Sequence, residues 1–80
     1  MRPRAAIRFE IARRGTVALR VYDVSGRHVR TLVDGHREAG PHTAVWDGRD
    51  ENGIAVASGV YVYTLEARGG TTSRKLVLLK

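Results

Sequence analysis

The sequence has no cysteine, so a disulfide framework and a thiolate metal site are both excluded. That absence removes cysteine chemistry without deciding the compartment. No apolar run approaches the roughly 20 residues of a membrane-spanning helix. The opening Met1-Arg2-Pro3-Arg4 is not followed by the apolar stretch a signal peptide needs. If the domain is exported, a longer parent chain is expected to supply that signal. Helix-period segments with start and stop signals are missing as well. Aromatics are scarce at 6%, limited to Phe9, Tyr22, Trp46, Tyr61 and Tyr63. Lysine is scarce too, since only Lys75 and Lys80 among the 14 cationic side chains are not arginine.

What is present is a chain of 80 residues, 42% of them hydrophobic. That suits one domain, or part of one. A chain of this size buries roughly 60–65% of its unfolded surface, which leaves little depth for an active-site cleft. The net charge of +6 raises nucleic acid or an anionic surface as a partner.

Short apolar runs recur about every ten residues, each followed by a Gly-containing break, which is the spacing of an all-β sandwich or barrel. Ile7, Phe9 and Ile11 alternate with Arg8 and Glu10 over Ala5–Ile11, a half-buried strand. Val17, Leu19 and Val21 alternate with Ala18, Arg20 and Tyr22, and Ser25-Gly26 signals a turn. Arg27–Val33 alternates imperfectly because Val29 and Leu32 would face opposite sides, so a bulge or an edge position is expected there. Asp34–Pro41 reads as a loop, since Pro41 cannot sit in a central strand. His42–Asp47 is a fourth strand. Asn52-Gly53 reads as a hairpin turn with both residues at positive φ, and Ile54–Ala57 as a minor strand. Val60–Ala67, β-branched and aromatic with bulk on both faces, is placed centrally. Gly69-Gly70 turns the chain into a last strand, Ser73–Leu79. Six strands are expected, seven with the minor one, and neither an internal repeat nor a low-complexity tract is visible.

The residues that could carry chemistry do not assemble in sequence. His28, His36 and His42 lack a Gly-x-Ser-x-Gly elbow, and their spacing gives no zinc pattern; all three are expected on the surface. Between Asp47 and Gly53 a calcium loop would need oxygen ligands at alternating positions before the Gly and a carboxylate beyond it. Gly48 and Gly59 fall where two of those ligands belong, so Asp47 and Asp50 are expected to bond nearby backbone amides instead. Neither a P-loop nor Gly-x-Gly-x-x-Gly is present. No catalytic residue, metal site or cofactor is therefore expected. Residues 1–14 hold Arg2, Arg4, Arg8, Arg13 and Arg14 against Glu10 alone. A nucleic-acid reader interleaves such charge with exposed aromatics. Phe9 and Trp46 read as core and only Tyr22 falls on a polar face beside Arg20, so a solvated arginine-rich surface is favoured over a small polyanion-binding domain.

Four blocks in this order and spacing resemble a family. They are Val21-Tyr22-Asp23-Val24-Ser25-Gly26 running on to Val33, Ala39-Gly40-Pro41 through Trp46-Asp47-Gly48 to Asp50, Ala57-Ser58-Gly59-Val60-Tyr61-Val62-Tyr63, and the terminal Arg74-Lys75-Leu76-Val77-Leu78-Leu79-Lys80. Together they look like the FlgD-type immunoglobulin-like domain, named after the flagellar hook-capping protein, which overlaps the type IX secretion (type A) C-terminal sorting domain. The resemblance covers residues 5–80. Family members often carry an Asn-Pro-Phe-like segment before the first strand. Residues 1–4 read as a remnant of such a linker, which suggests a truncated gene, a fragment or an excised domain.

The resemblance implies an antiparallel immunoglobulin/fibronectin type III-like β-sandwich and no catalysis. It implies a C-terminal module of a secreted or cell-surface bacterial protein, serving sorting or attachment. The expected partners are the preceding domains of the parent, the secretion machinery or further copies; a hook-cap-like assembly domain is the alternative. Arg74 to Lys80 would be the strand that export machinery reads. Tyr22, Asp23, Gly26, Trp46, Asp47, Gly48, Gly59 and Tyr61 would be its structural signature. In that frame Gly26 and Gly59 supply turn conformations, Trp46 plugs the space between the sheets, and the Tyr61 hydroxyl reaches back to the backbone.

Overall fold

The computed structural model describes residues 4–79. Met1, Arg2 and Pro3 of the linker remnant and Lys80 of the terminal strand lie outside the described residues. The chain forms six antiparallel strands: β1 (Ala5–Ile11), β2 (Gly15–Asp23), β3 (His28–Arg37), β4 (Gly40–Trp46), β5 (Gly59–Ala67) and β6 (Gly70–Leu78). They make two layers, a four-stranded sheet in the order β3-β2-β5-β6 and a two-stranded sheet of β1 and β4. The fold is thus the all-β sandwich expected, with β5 central between β2 and β6.

The alternating side chains explain the layers. Ile7 and Ile11 of β1, Val17, Leu19 and Val21 of β2, and Val33 of β3 are buried between the sheets. Their odd-numbered spacing puts each set on one face of its strand. The core has two parts. One gathers Ile7, Ile11, Val17, Leu19 and Val33. The other gathers Val21, Val29, Trp46, Tyr61 and Leu78. Burying each aliphatic side chain of this kind stabilises the fold by about 1.5–3 kcal/mol.

β3 carries two bulges. Leu19 pairs with Val33 but Arg20 with Thr31, and Val21 pairs with Arg30 but Tyr22 with His28. The extra residues are Leu32 and Val29. These bulges turn both toward the core, where Val29 is buried and Leu32 packs against both clusters. β3 is also an edge strand, so both explanations of its broken alternation apply.

Three expectations are corrected. Residues 34–41 are not a loop: β3 runs to Arg37 and β4 begins at Gly40, leaving only Glu38 and Ala39 between them. Pro41 lies inside β4 opposite Glu10. β4 has a free edge, where a missing N–H breaks no ladder. Ile54–Ala57 makes only an isolated bridge, Ala55 with Arg49, so the described residues hold six strands. Asn52-Gly53 is not a two-residue hairpin turn, because among the described residues none other than glycine has positive φ.

The connections sort to two ends of the sandwich. The turns at 12–14, 38–39 and 68–69 lie at one end, called here the lower. The turn at 24–27 and the long crossing at 47–58, which carries the chain from one sheet to the other, lie at the upper end.

Candidate functional site

The upper end holds most of the signature residues, and the structure shows why they belong together. Asp23 Oδ1 accepts hydrogen bonds from Ser25 N at 3.0 Å, Ser25 Oγ at 2.6 Å and Arg27 N at 3.0 Å. Gly26 N donates to Asp23 O and Asp23 N to Arg27 O. Gly26 has φ 90°, which a side chain would strain. The same turn is built a second time. Asp50 Oδ1 accepts from Asn52 N at 2.9 Å and Ile54 N at 3.0 Å. Gly53 N donates to Asp50 O and Asp50 N to Ile54 O. Both are Asp-x-x-Gly turns in which the carboxylate replaces missing backbone acceptors. Asp47 Oδ1 accepts from Arg49 N at 3.1 Å. Asp47 and Asp50 therefore do what their sequence context suggested.

These bonds favour the ionised carboxylate. The Ser25 hydroxyl first, then the Arg27 amide, hold the Asp23 carboxyl below the usual aspartate range.

The long crossing is tied down to β3. Glu51 N donates to Val29 O at 3.1 Å, and Thr31 N donates to Glu51 Oε1 at 2.5 Å. Half-buried Arg30 is the hub: its Nη1 lies 3.5 Å from Asp47 Oδ1 and donates to Arg49 O and Asp50 O at 3.4 and 3.3 Å. Sequence reasoning missed Arg30 and Glu51. The repeated Asp-x-x-Gly at 23–26 and 50–53 was a readable signal; the partners of Arg30 lie in another sheet's connection and were not.

Beneath this network Trp46 is fully buried and its ring meets that of Tyr61 edge-on, with centroids 5.0 Å apart. Trp46 Nε1 donates to Arg49 O at 2.9 Å. The Tyr61 hydroxyl donates to Ala57 O at 2.6 Å, a bond of the kind that marks the tyrosine corner of immunoglobulin-like domains. Gly48 is buried beside them and accepts from Val56 N at 2.9 Å. Gly59 starts β5 opposite Leu78, with φ 151°. Tyr22 lies half-buried on the outer face of the large sheet, its ring edge-on to His28 at 5.6 Å.

The histidines do not converge. His28 Nε2 bonds Thr31 Oγ1 at 2.8 Å, His36 Nε2 meets Glu38 Oε2 at 2.6 Å, and His42 Nε2 bonds Glu38 O at 2.7 Å. His28 and His36 are exposed; His42 is half-buried, its ring stacked on Phe9 at 5.4 Å. Among the described residues no group of three or more histidines and acids is placed to hold a metal ion.

The described N-terminal arginines do not form one patch. β1 spreads Arg4, Arg8 and the Arg13-Arg14 pair along the full height of the sandwich. The basic concentration is instead the lower end, where Arg13, Arg14 and Arg68 from two turns meet Arg37 at the end of β3. Gly15 pairs with Arg37, and a Cβ placed on it would lie 3.9 Å from the Arg68 side chain. Phe9, Tyr22, Trp46, Tyr61 and Tyr63 all lie elsewhere, so this end offers no stacking platform.

The terminal strand is integral to the large sheet. β6 pairs with β5 from Ala67 opposite Gly70 to Gly59 opposite Leu78. Leu78 is fully buried and Leu76 half-buried, while Arg74, Lys75, Val77 and Leu79 are exposed.

A family model for the FlgD Ig-like domain matches residues 4–71. The basal-body rod modification protein FlgD of Salmonella typhimurium is 41% identical over 56 residues, which cover 70% of this chain and 24% of that protein. The protein of the same name from Salmonella typhi matches to the same extent. The chain thus spans about a quarter of the length of these curated relatives. The crystal structure of FlgD from Xanthomonas campestris, reported for its insights into the hook capping essential for flagellar assembly, superposes with a TM-score of 0.72 at 27% identity, covering 95% of this chain and 56% of that one. FlgD from Pseudomonas (P. aeruginosa) gives a TM-score of 0.69 at 24% identity, covering 95% and 60%. Dimeric latent PorU from Porphyromonas gingivalis gives 0.70 at 22% identity, covering 96% of this chain and 8% of that one. The last two likenesses are of fold.

Proposed function

The chain belongs to the FlgD Ig-like domain family, and on that premise we propose that it is a non-enzymatic structural module of a larger exported protein, packing against neighbouring domains or copies in a hook-cap-like assembly. The observation that carries this reading is the 41% identity to Salmonella FlgD. The chemistry of the molecule agrees with it. The aspartates of the upper end are occupied in turns and the histidines in local bonds.

This reading ranks above sorting or attachment through the last strand. The sorting role has the fold likeness to PorU behind it. Leu76 to Leu79 would then act as an exported signal only as part of a folded module, because Leu78 is a core residue. The parent chain, in either role, is exported and displayed outside the cell.

A domain exchange tests the assembly reading. Residues 4–79 replace the matching Ig-like segment of Salmonella FlgD, and swimming halos and hooks on isolated basal bodies are scored. Hooks and partial motility are expected, against none with the segment deleted. A chimera exported at normal levels that builds no hooks would overturn the proposal.

A further inference from the structure

Immunoglobulin-like sandwiches of the constant type hold four strands in one sheet and three in the other. Here the second sheet has two, and the unfilled strand position lies beside β1. β1 pairs with β4 in unbroken register from Ala5 to Ile11. Its other edge is unpaired among the described residues, contains no proline and has no bulge. Of the other edges, β4 is blunted by Pro41 and β3 by two bulges and by Glu51 on its backbone, while β6 keeps an unbroken edge in the other sheet.

Beyond the free edge of β1 the cover over the large sheet runs out. Down the inward face of β6, Leu78 is fully buried, Leu76 is half-buried, and Arg74 and Thr72 are exposed. On β5, Tyr61 is buried but Tyr63 and Leu65 are only half-buried. The result is a groove of about 330 Å³ between the edge of β1 and the β5–β6 hairpin, with Phe9, Tyr63 and Leu65 as its apolar lining. Arg8 on one wall and Arg74 on the other have no acidic partner among the described residues, and Glu10 is the only acid there.

We propose that this groove takes an extended acidic peptide segment by strand addition to the free edge of β1. Main-chain bonds to the edge supply affinity, and pockets for alternate side chains supply specificity. On the segment's inward face apolar side chains lie on Phe9, Tyr63 and Leu65 and one carboxylate meets Arg74 across the groove, while carboxylates of the outward face lie beside Arg8. The occupant is a partner rather than a second copy, because two chains of +6 repel. The proposal stands apart from the assembly reading and survives its failure.

The test uses the full chain, isotope-labelled, with a capped nonapeptide that alternates valine and aspartate except that one central inward valine is also aspartate; the same peptide with lysine in place of aspartate is the control. Saturable binding below about 1 mM is expected, with alternate β1 amides exchanging more slowly and shifts confined to β1, Tyr63 and Leu65. Arg74→Glu is expected to weaken the aspartate peptide at least about tenfold, an ion-pair-sized effect, and to strengthen the lysine peptide. Arg13→Glu, at the lower end, is expected to leave both unchanged. Equal losses in the two variants would mean unspecific attraction of polyanions, and equal binding of the two peptides would mean no charge recognition. Protection of β1 that grows with protein concentration alone would make a second copy the occupant. Each of these results, and no binding at all, overturns the proposal.

Discussion

The upper and lower ends of this sandwich are made from the same strands and stabilised in different ways. At the upper end Trp46 and Tyr61 are buried, their polar atoms reach carbonyls of the long crossing, and two Asp-x-x-Gly turns fix the backbone around them. At the lower end the connections are short and carry Arg13, Arg14 and Arg68, and above them, in the lower half of the sandwich, the cover over Tyr63 and Leu65 is incomplete. One end is held by specific polar bonds over an aromatic core. The other is held by aliphatic packing on the β1–β2 side and left open on the β5–β6 side. A fold can thus be fully specified at one end and still keep an accessible surface at the other.

The comparison breaks first at Trp46. Trp46→Ala is expected to cost about 3–5 kcal/mol in urea unfolding, whereas Phe9→Ala, in the open half, is expected to cost about 1–2 kcal/mol because less surface is lost. Similar costs would mean the ends are equally committed. Tyr61→Phe removes only the bond to Ala57 O and is expected to lower stability by about 1–2 kcal/mol in thermal melts. A third change sharpens the contrast through pH. Asp23 is held below its ordinary range, so its stabilising contribution is present above the unfolded aspartate value, about 4, and is lost as pH falls through the lower folded value. The stability gap between wild type and Asp23→Asn is therefore expected at neutral pH and should close in acid; a gap independent of pH would remove the carboxylate from the account. Smallest of all, Arg13→Glu at the lower end is expected to shift stability by less than about 0.5 kcal/mol.

Much of the architecture was legible in the residues. Period-two alternation located β1, β2 and β5, and the clash of Val29 with Leu32 announced the bulges. Trp46 and Tyr61 were readable as anchors because large rings in a short chain have few places to go. The loop expected at 34–41 failed because an edge strand tolerates Pro41, and edge position is a property of the whole sheet. Asn52-Gly53 misled because Asp50 two residues earlier offers its carboxylate to the same backbone and selects a wider turn. The grouping of the arginines is a property of the fold. Neighbours along a strand separate by roughly 3.3 Å per residue, so Arg4 and Arg13 lie at opposite ends, while Arg37 and Arg68, distant in sequence, come together. Nor could the groove be read, since it depends on how far one sheet covers the other.

The crossing at 47–58 has a further consequence, for the order of folding. The other connections between the strands are short and close quickly, but this one is a dozen residues long and must close before Tyr61 can meet Trp46. Closing it costs chain entropy before any contact repays it. The hairpins β2–β3 and β5–β6 therefore have local partners available early, and the pairings of β1 with β4 and of β5 with β2 are the late, slow events. Once the crossing is bound to β3 through Glu51 and Arg30, the same loop becomes the latch that must open first when the domain comes apart.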